Sequence, residues 1–160
     1  MNVDGLSVDE LYKKAKGYAL RLFKFRPRSE AEFRAKLQER DYPAGFVNRL
    51  VDEFKEYGDI DDAAFARLWM QSRLKKYGFA RVARELAVKG IEKEIVSRLG
   101  NELCVEIDER AVVQLIADRR LKLYRDLDQV KQRKRLMDYL LRRGFSPVVV
   151  NGVLKRLLIH

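Results

Sequence analysis

The sequence has few of the residues that build disulfide frameworks, metal sites and tight turns. Its 160 residues include one cysteine, Cys104, and one histidine, His160, at the last position. These two residues cannot supply an internal disulfide, a cysteine-rich zinc site or a histidine-based catalytic triad. Three prolines and nine glycines leave little material for hairpins or long loops. We therefore expect an all-α protein in a reducing compartment, with Cys104 as a small buried apolar residue.

Long apolar runs and nucleotide-binding loops are missing as well. No run approaches the roughly 20 apolar residues that a membrane-spanning helix requires. The first ten residues, MNVDGLSVDE, are acidic and polar, unlike a secretory signal peptide. Neither GxxxxGK nor GxGxxG occurs in the sequence. These absences predict a cytoplasmic protein that is not an enzyme and that uses no cofactor and no metal.

Positive charge is what the sequence has in excess. Lysine and arginine number 34 against 24 acidic residues, which gives a formal net charge of +10 and a pI of about 9.8. The chain is 47% hydrophobic and 36% charged, so it can bury a core and still carry a dense charged surface. A protein with this net positive charge favours an acidic partner: a nucleic acid, an anionic membrane or an acidic protein groove.

Acidic residues and glycines mark helix ends in the central stretch 57–91. Asp59, Asp61 and Asp62 precede an apolar run, where carboxylates cap a helix and favour its positive N-terminal end. The same carboxylates could hold a hard metal ion, but capping explains them without one. Gly78 and Gly90 then divide the stretch into two helices and the start of a third.

Three segments of the chain repeat one apolar pattern around a break in the helical periodicity. The breaks are Asp41, Gly90 and Gly144. Apolar residues stand eight and four residues before each break, and one, five, six, nine and thirteen residues after it. Because Asp41 replaces glycine at the first break, we expect a different helix-end geometry there.

The repeat predicts three tandem three-helix units at residues 1–58, 59–107 and 108–160. Each unit is too small to be comfortably stable alone, and stacking on its neighbours supplies the missing core. The units should form an elongated, curved array that offers a long surface rather than one deep pocket. Because the sequence has no long heptad seam, we expect a monomer.

Basic residues recur in the same phase of each unit. Residues 11–29 contain seven bases and no acid, and residues 63–84 contain six bases and no acid. In the third unit the equivalent bases are Arg119, Arg120, Lys122 and Arg125. One such run alone is usually a solvated face, but three runs in one phase predict a continuous basic track that faces a polyanion.

Two aromatic residues lie within or beside the central basic run. Trp69 falls on the apolar face of its helix, so we expect it to pack in the core. Tyr77, next to Gly78, is the better candidate for an exposed ring that stacks on a base. The residues that we expect to contact the partner are Arg73, Lys75, Lys76, Tyr77, Arg81, Arg84, Arg133, Lys134, Arg142 and Arg143.

Short motifs along the chain resemble those of the bacterial RecX family. The central ones are GDIDD at 58–62, FA at 65–66, SR at 72–73, YG at 77–78, REL at 84–86 and KGI at 89–91. The runs ALRL at 19–22, SEAEF at 29–33 and KL at 36–37 resemble the first module of that family, and YLLRRGF at 139–145 resembles the third. The resemblance covers nearly the whole chain.

The resemblance implies three tandem three-helix repeats and a regulatory role. Proteins of the RecX family modulate the RecA recombinase, mostly by inhibition, and bind in the groove of the RecA–DNA filament. The implied targets are RecA's recombinase, ATPase and SOS coprotease activities in DNA repair, and the implied partners are the RecA filament and nonspecifically bound single- or double-stranded DNA.

Two other interpretations remain. Three-helix units with a basic helix resemble helix-turn-helix modules, so the alternative is a nonspecific DNA-binding module that acts independently of RecA. A membrane-surface protein is disfavoured, because the basic faces lack the exposed apolar partner face of an interfacial helix.

Overall fold

The computed structural model describes residues 5–158, which form nine α-helices and no β-strand. The helices are α1 (Val8–Phe25), α2 (Glu30–Gln38), α3 (Ala44–Glu56), α4 (Asp62–Arg73), α5 (Phe79–Val88), α6 (Lys93–Glu106), α7 (Glu109–Leu121), α8 (Gln129–Arg142) and α9 (Pro147–Leu157). The prediction of an all-α fold is confirmed. Within the described range, no helix is both long enough and apolar enough to cross a membrane.

The helices group into three units, each around its own hydrophobic core. The fully buried larger residues include Phe33, Leu50 and Phe54 in the first unit, Met70, Leu86 and Leu103 in the second, and Leu136, Leu140 and Leu154 in the third. The more extensive helix–helix contacts lie inside the units. The accessible surface is 10456 Å² for a chain of 18.8 kDa, whereas a compact chain of that mass exposes about 8300 Å². The chain is therefore an elongated array of three tandem three-helix units, as predicted.

Carboxylate and hydroxyl side chains cap the helices, and the sequence indicated the carboxylate cap of α4. Asp61 accepts a hydrogen bond from the backbone N–H of Ala64 at 2.9 Å and begins α4. Ser29 and Glu32 form a reciprocal capping box at the start of α2. These contacts satisfy backbone donors that have no partner within the first turn of a helix.

The three breaks share one helix-end geometry. Asp41, Gly90 and Gly144 have φ angles of 57°, 75° and 83°, all in the left-handed region. The next residue donates its backbone N–H to the carbonyl five residues earlier, from Tyr42 to Leu37 at 3.5 Å, from Ile91 to Leu86 at 3.0 Å and from Phe145 to Leu140 at 3.4 Å. The repeat alignment is confirmed, and the expectation of a different geometry at Asp41 is wrong.

Cys104 is exposed, so the expectation that it is buried is wrong. It lies on α6 beside Leu103, which is fully buried in the second core. Leu103 is thirteen residues after the Gly90 break, the position at which the repeat places an apolar contact. Because neighbouring residues on a helix point about 100° apart, burying Leu103 turns Cys104 outward.

The first unit meets the second where α2 begins and α5 ends. The Ser29 hydroxyl donates to the Lys89 carbonyl at 2.6 Å, and the Lys89 ammonium pairs with Glu32 at 2.7 Å. The backbone N–H of Glu30 donates to the Asp62 carboxylate at 2.8 Å. Asp62, in the first turn of the second unit, therefore also caps a helix of the first unit.

The second unit meets the third in the same way, where α5 begins and α8 ends. The backbone N–H of Gly78 donates to the Arg143 carbonyl at 2.9 Å. A Cβ on Gly78 would overlap the Gly144 carbonyl, and one on Gly144 would lie 2.6 Å from the backbone nitrogen of Arg81. The Arg143 guanidinium also donates to the Lys76 carbonyl at 3.0 Å. Close backbone approach thus joins these units, and only glycine permits it.

These two junctions explain why the first break is not a glycine. At the first junction, Ser29, the N-cap of α2, donates to the carbonyl of Lys89, the residue before the left-handed Gly90. At the second junction, Gly78, the N-cap of α5, donates to the carbonyl of Arg143, the residue before the left-handed Gly144. A Cβ on Gly90 would overlap the Ala31 side chain. Asp41 instead lies at the exposed outer end of α2. Only the left-handed φ is required there, and aspartate adopts it more readily than most residues.

Acid should weaken the first junction through Glu32. Burial alone would raise the pKa of Glu32, but hydrogen bonds from Arg26 and Lys89 outweigh it and lower the pKa to about 2 from its ordinary value of 4.5. A carboxylate whose pKa is lower in the folded state stabilises the fold above its ordinary pKa, and this contribution is lost as the pH falls through the folded-state value. The pKa of Asp62 is raised, chiefly by burial. Protonation of Asp62 as the pH falls therefore favours the folded state, which is opposite to the effect of Glu32.

We expect the free energy of unfolding to fall by about 1–3 kcal/mol between pH 4.5 and pH 2 because of Glu32. Glu32→Gln should be less stable than the parent chain at pH 7, and its stability should depend less on pH over this window. Urea unfolding at a series of pH values measures both effects. Equal pH slopes for the two proteins would show that the ion pairs of Glu32 do not hold the junction.

Candidate partner-binding surface

A groove with five cationic side chains lies where the second and third units meet. Its volume is about 350 Å³, and it is lined by Lys75, Lys76, Leu115, Ile116, Arg119, Arg120, Leu123, Tyr139 and Arg143. No carboxylate is among these lining residues. We call this site the basic groove. Its cations can bind a polyanion, while its leucines, isoleucine and tyrosine offer apolar and aromatic contact area.

The cations of the basic groove lie at or just beyond the C-terminal ends of helices. Lys75 and Lys76 follow the last residues of α4, and Arg119 and Arg120 form the basic last turn of α7. Arg143 is the C-cap residue of α8. Helix C-termini carry partial negative charge, which favours cations at each of these positions. The junction between units then brings three such ends to one groove.

An aromatic ring forms one wall of the basic groove. The Arg120 guanidinium lies 4.0 Å from the centre of the Tyr139 ring, and that of Arg143 lies 4.8 Å from it. A hydrogen bond with Tyr139 is the main reason that the pKa of Arg120 is raised. Tyr139 therefore orients two of the cations by contacts that are worth about 0.5–1 kcal/mol each at an exposed site.

A second pocket lies on the α5 and α8 side of the same junction. Its volume is about 370 Å³, and it is lined by Arg81, Arg84, Glu85, Val88 and Arg142. We call it the arginine pocket. Glu85 compensates part of its positive charge, because Arg81 lies 3.3 Å from that carboxylate. The arginine pocket is therefore less cationic than the basic groove.

Tyr77 is half-buried, so the expectation of an exposed stacking ring is wrong. The guanidinium carbons of Arg73, Arg81 and Arg143 lie 4.3, 4.1 and 5.0 Å from the centre of its ring. Two of these arginines belong to the second unit and one to the third. Tyr77 therefore packs between the units, where it is surrounded by cations from the chain itself.

Arg73 is engaged inside the second unit. Its guanidinium donates to both carboxylate oxygens of Glu85, at 2.9 and 2.6 Å, and the Trp69 indole N–H donates to the same carboxylate at 3.1 Å. Chiefly because of the Arg73 hydrogen bond, the pKa of Glu85 is lowered. Trp69 is partly buried against the second core, which confirms that it packs there. Arg73 thus stabilises the unit and has little capacity left for a partner.

Glu85→Ala should therefore destabilise the second unit. The change removes four hydrogen bonds and leaves the Arg73 guanidinium, partly buried, without its carboxylate. We expect a loss of about 1–3 kcal/mol in the free energy of unfolding, measured by urea denaturation. Glu56→Ala, at an exposed glutamate, is the control and should stay within about 0.5 kcal/mol. Equal effects of the two changes would contradict this account of Glu85.

The predicted contact residues thus fall into four groups. Lys75, Lys76 and Arg143 line the basic groove, while Arg81, Arg84 and Arg142 line the arginine pocket. Arg73 and Tyr77 belong to the internal cluster, and Arg133 and Lys134 are exposed on α8 away from both sites. The predicted set lacks the other six lining residues of the basic groove, of which three are cationic or aromatic: Arg119, Arg120 and Tyr139. The recurrence of basic residues in one phase was the signal for the two arginines, but nothing in the sequence pattern pointed to Tyr139.

Comparison with known proteins identifies the family of this array. Family profiles match in chain order: the first three-helix domain of RecX at residues 15–54, the second at 61–98 and the third at 108–154. The regulatory protein RecX of Streptomyces coelicolor is 33% identical over 148 residues, which cover 91% of this chain and 78% of that protein. That of Thermobifida fusca is 34% identical over 140 residues, which cover 86% and 75%.

Solved structures show the same fold. The crystal structure of RecX from Lactobacillus salivarius superposes with a TM-score of 0.82 at 18% identity and covers 94% of this chain and 98% of its own. A second crystal structure of regulatory protein RecX gives a TM-score of 0.79 at 21% identity and covers 91% and 72%. Together, the three matched domains and the relatives of more than 30% identity show that this chain belongs to the RecX family of regulatory proteins.

Proposed function

We propose that this chain binds the filament that RecA forms on DNA and inhibits RecA's recombinase, ATPase and coprotease activities. Membership of the RecX family supports a role in RecA regulation. The observation that carries the proposal is the basic groove, where five cations converge without a carboxylate among the lining residues. Such a groove suits the phosphate backbone, which the filament presents along its length.

In this mechanism the basic groove contacts phosphates and the array spans neighbouring RecA subunits. The chain is elongated, so one molecule reaches farther along a filament than a compact protein of equal mass. A rigid bridge between subunits opposes the conformational cycle that drives strand exchange. Lysine and arginine contacts to phosphates carry no sequence information, so binding is nonspecific with respect to base sequence.

The basic groove also favours a second candidate function, a nonspecific DNA-binding module that acts without RecA. The two functions differ in which affinity dominates. A pure DNA binder loses affinity steeply with salt, by about 0.9 log units per phosphate neutralised for each log unit of salt on duplex DNA. A filament regulator gains further affinity from contacts with RecA and is less sensitive to salt.

RecA's ATPase activity on single-stranded DNA tests the proposal. We expect the chain to inhibit hydrolysis at substoichiometric amounts relative to RecA, and at concentrations at which it barely binds the same DNA without RecA. The control titrates the chain against the bare DNA in the same buffer. Unchanged ATPase activity together with tight, salt-sensitive DNA binding would overturn the proposal and favour the independent DNA-binding module.

A further inference from the structure

The junction between the first and second units carries an apolar groove. It has a volume of about 210 Å³ and is lined by Arg26, Pro27, Phe65, Leu68, Trp69 and Ser72. It adjoins a second depression of about 280 Å³, which shares Pro27, Phe65 and Leu68 with it and extends to Asp59 and Asp61. We call these two adjoining depressions together the first-junction groove. It shares no lining residue with the basic groove.

Apolar side chains at this groove and on the helix end beside it face outward. On α1, Leu22 is buried and Phe23 packs against Phe33 with ring centres 5.2 Å apart, whereas Phe25 is 81% exposed. On α4, Leu68 is 59% exposed. Two core-forming helices thus carry large apolar side chains outside their cores, close to one groove. Leu68 lines the apolar groove itself, and exposed apolar surface beside such a groove favours an interaction site.

The helix end beside the groove is positive. Phe25 lies between Lys24 and Arg26, in the run of residues 11–29 that contains no acid. Arg26 binds both carboxylate oxygens of Glu32, and Lys89 pairs with the same carboxylate, so these three groups carry an excess of one positive charge, to which Lys24 adds another. A ligand with negative charge is therefore favoured at this end of the groove.

The opposite end of the groove carries two acidic side chains, and the tryptophan ring already has neighbours. Asp59 and Asp61 line the far depression together with Arg28. The Lys89 ammonium lies 4.3 Å from the centre of the Trp69 ring, and the Phe65 ring stacks on it with centres 6.0 Å apart. A nucleic acid base would compete with these two neighbours for the Trp69 ring, and phosphates would meet the two aspartates. The apolar depression, with a volume of about 210 Å³, suits one large side chain.

We infer that the first-junction groove docks an acidic peptide segment of a partner protein, with one aromatic or long aliphatic side chain inserted between Pro27 and Leu68. The acidic residues of that segment lie toward Lys24 and Arg26, away from Asp59 and Asp61. The chain then has two separate surfaces, the basic groove for a polyanion and the first-junction groove for a protein. The inference goes beyond the proposed function, because it requires neither RecA nor DNA.

The chain's single tryptophan reports directly on this site, since Trp69 lines the groove. The probe is a short synthetic peptide of aspartate and glutamate with a central Leu-Phe pair and no tryptophan. We expect the peptide to change Trp69 emission saturably. Replacing its Leu-Phe pair with Ser-Ser should weaken binding at least about tenfold, because the apolar anchor is removed. Equal affinity for the two peptides would overturn the inference, since simple charge attraction would then explain the binding.

Leu68→Asp tests the groove from the side of the chain. We expect at least a roughly tenfold loss of peptide affinity, because the change puts a charge on the wall of the groove. The matched control is Val148→Asp, which makes the same charge change at an 81% exposed aliphatic residue of the third unit and should leave peptide binding unchanged. Equal peptide affinity of Leu68→Asp and the parent chain would overturn the inference. Circular dichroism checks that both variants are folded, and neither outcome bears on the RecA ATPase test.

Discussion

Gly78→Ala is expected to separate the second unit from the third and to cost about 2–4 kcal/mol in the free energy of unfolding. The φ of Gly78 is −73°, which alanine adopts without strain, so the backbone conformation is not the obstacle. The added Cβ would overlap the Gly144 carbonyl and force apart the hydrogen bond from Gly78 to Arg143. Thermal unfolding followed by circular dichroism should show a lower midpoint, with the third unit unfolding as a separate transition.

Substitutions at two other glycines distinguish the energetic cost of close packing from that of backbone conformation. Gly58 has a φ of +80° with no atom within 4 Å of a built Cβ, so Gly58→Ala should cost only about 1 kcal/mol. Gly152 lies inside α9 with open space around it, and Gly152→Ala should stabilise the chain by about 0.5–1 kcal/mol. If Gly78→Ala were no more destabilising than Gly58→Ala, the close backbone contact would not hold the two units together.

Reversing three charges of the basic groove is expected to have the largest effect on binding. The triple variant Lys75→Glu, Lys76→Glu, Arg119→Glu should lose at least about 100-fold in affinity for DNA and for the RecA filament at an ionic strength of roughly 0.1–0.15 M. The plot of log affinity against log salt slopes downward, and it should become less steep by about 3 for the variant. This is about one for each phosphate that the variant no longer neutralises. Fluorescence anisotropy of a labelled oligonucleotide, with and without RecA, measures both quantities.

The control variant makes the same change in net charge away from the groove, at three exposed lysines: Lys13→Glu, Lys14→Glu and Lys93→Glu. It should keep most of the affinity, because screening removes long-range attraction beyond roughly 8–10 Å. Arg81 is left unchanged in both variants, because it pairs with Glu85 and packs on Tyr77, so its reversal would also disturb the fold. Equal reductions in affinity for the two triple variants would show that net charge, and not the basic groove, governs binding.

Much of the fold could be predicted from the sequence because the repeat fixes which residues are buried. Leu37, Leu86 and Leu140 stand at one equivalent position and are fully buried in three separate cores. The helix caps could be predicted equally well, because Asp61 and Ser29 act on backbone groups only a few residues away. Interactions that are local in sequence leave local patterns.

The basic groove could be predicted only in part, because residues far apart in sequence form it. Lys75 and Arg119 come together through the Gly78–Gly144 contact, which no local pattern reveals. The different roles of Arg73 and Arg84 also depend on a contact between residues that are distant in sequence. Glu85 binds the Arg73 guanidinium and leaves Arg84 exposed, although the two arginines belong to the same acid-free run.

The most direct test of the central proposal compares the affinity of this chain for a RecA–single-stranded DNA filament with its affinity for the same DNA alone, at one salt concentration near physiological ionic strength. We predict that the filament is bound at least about tenfold more tightly, a difference of about 1.4 kcal/mol, because the filament adds protein contacts to the phosphate contacts. Equal or weaker binding to the filament would contradict the proposal, since RecA would then contribute nothing that the DNA does not already provide.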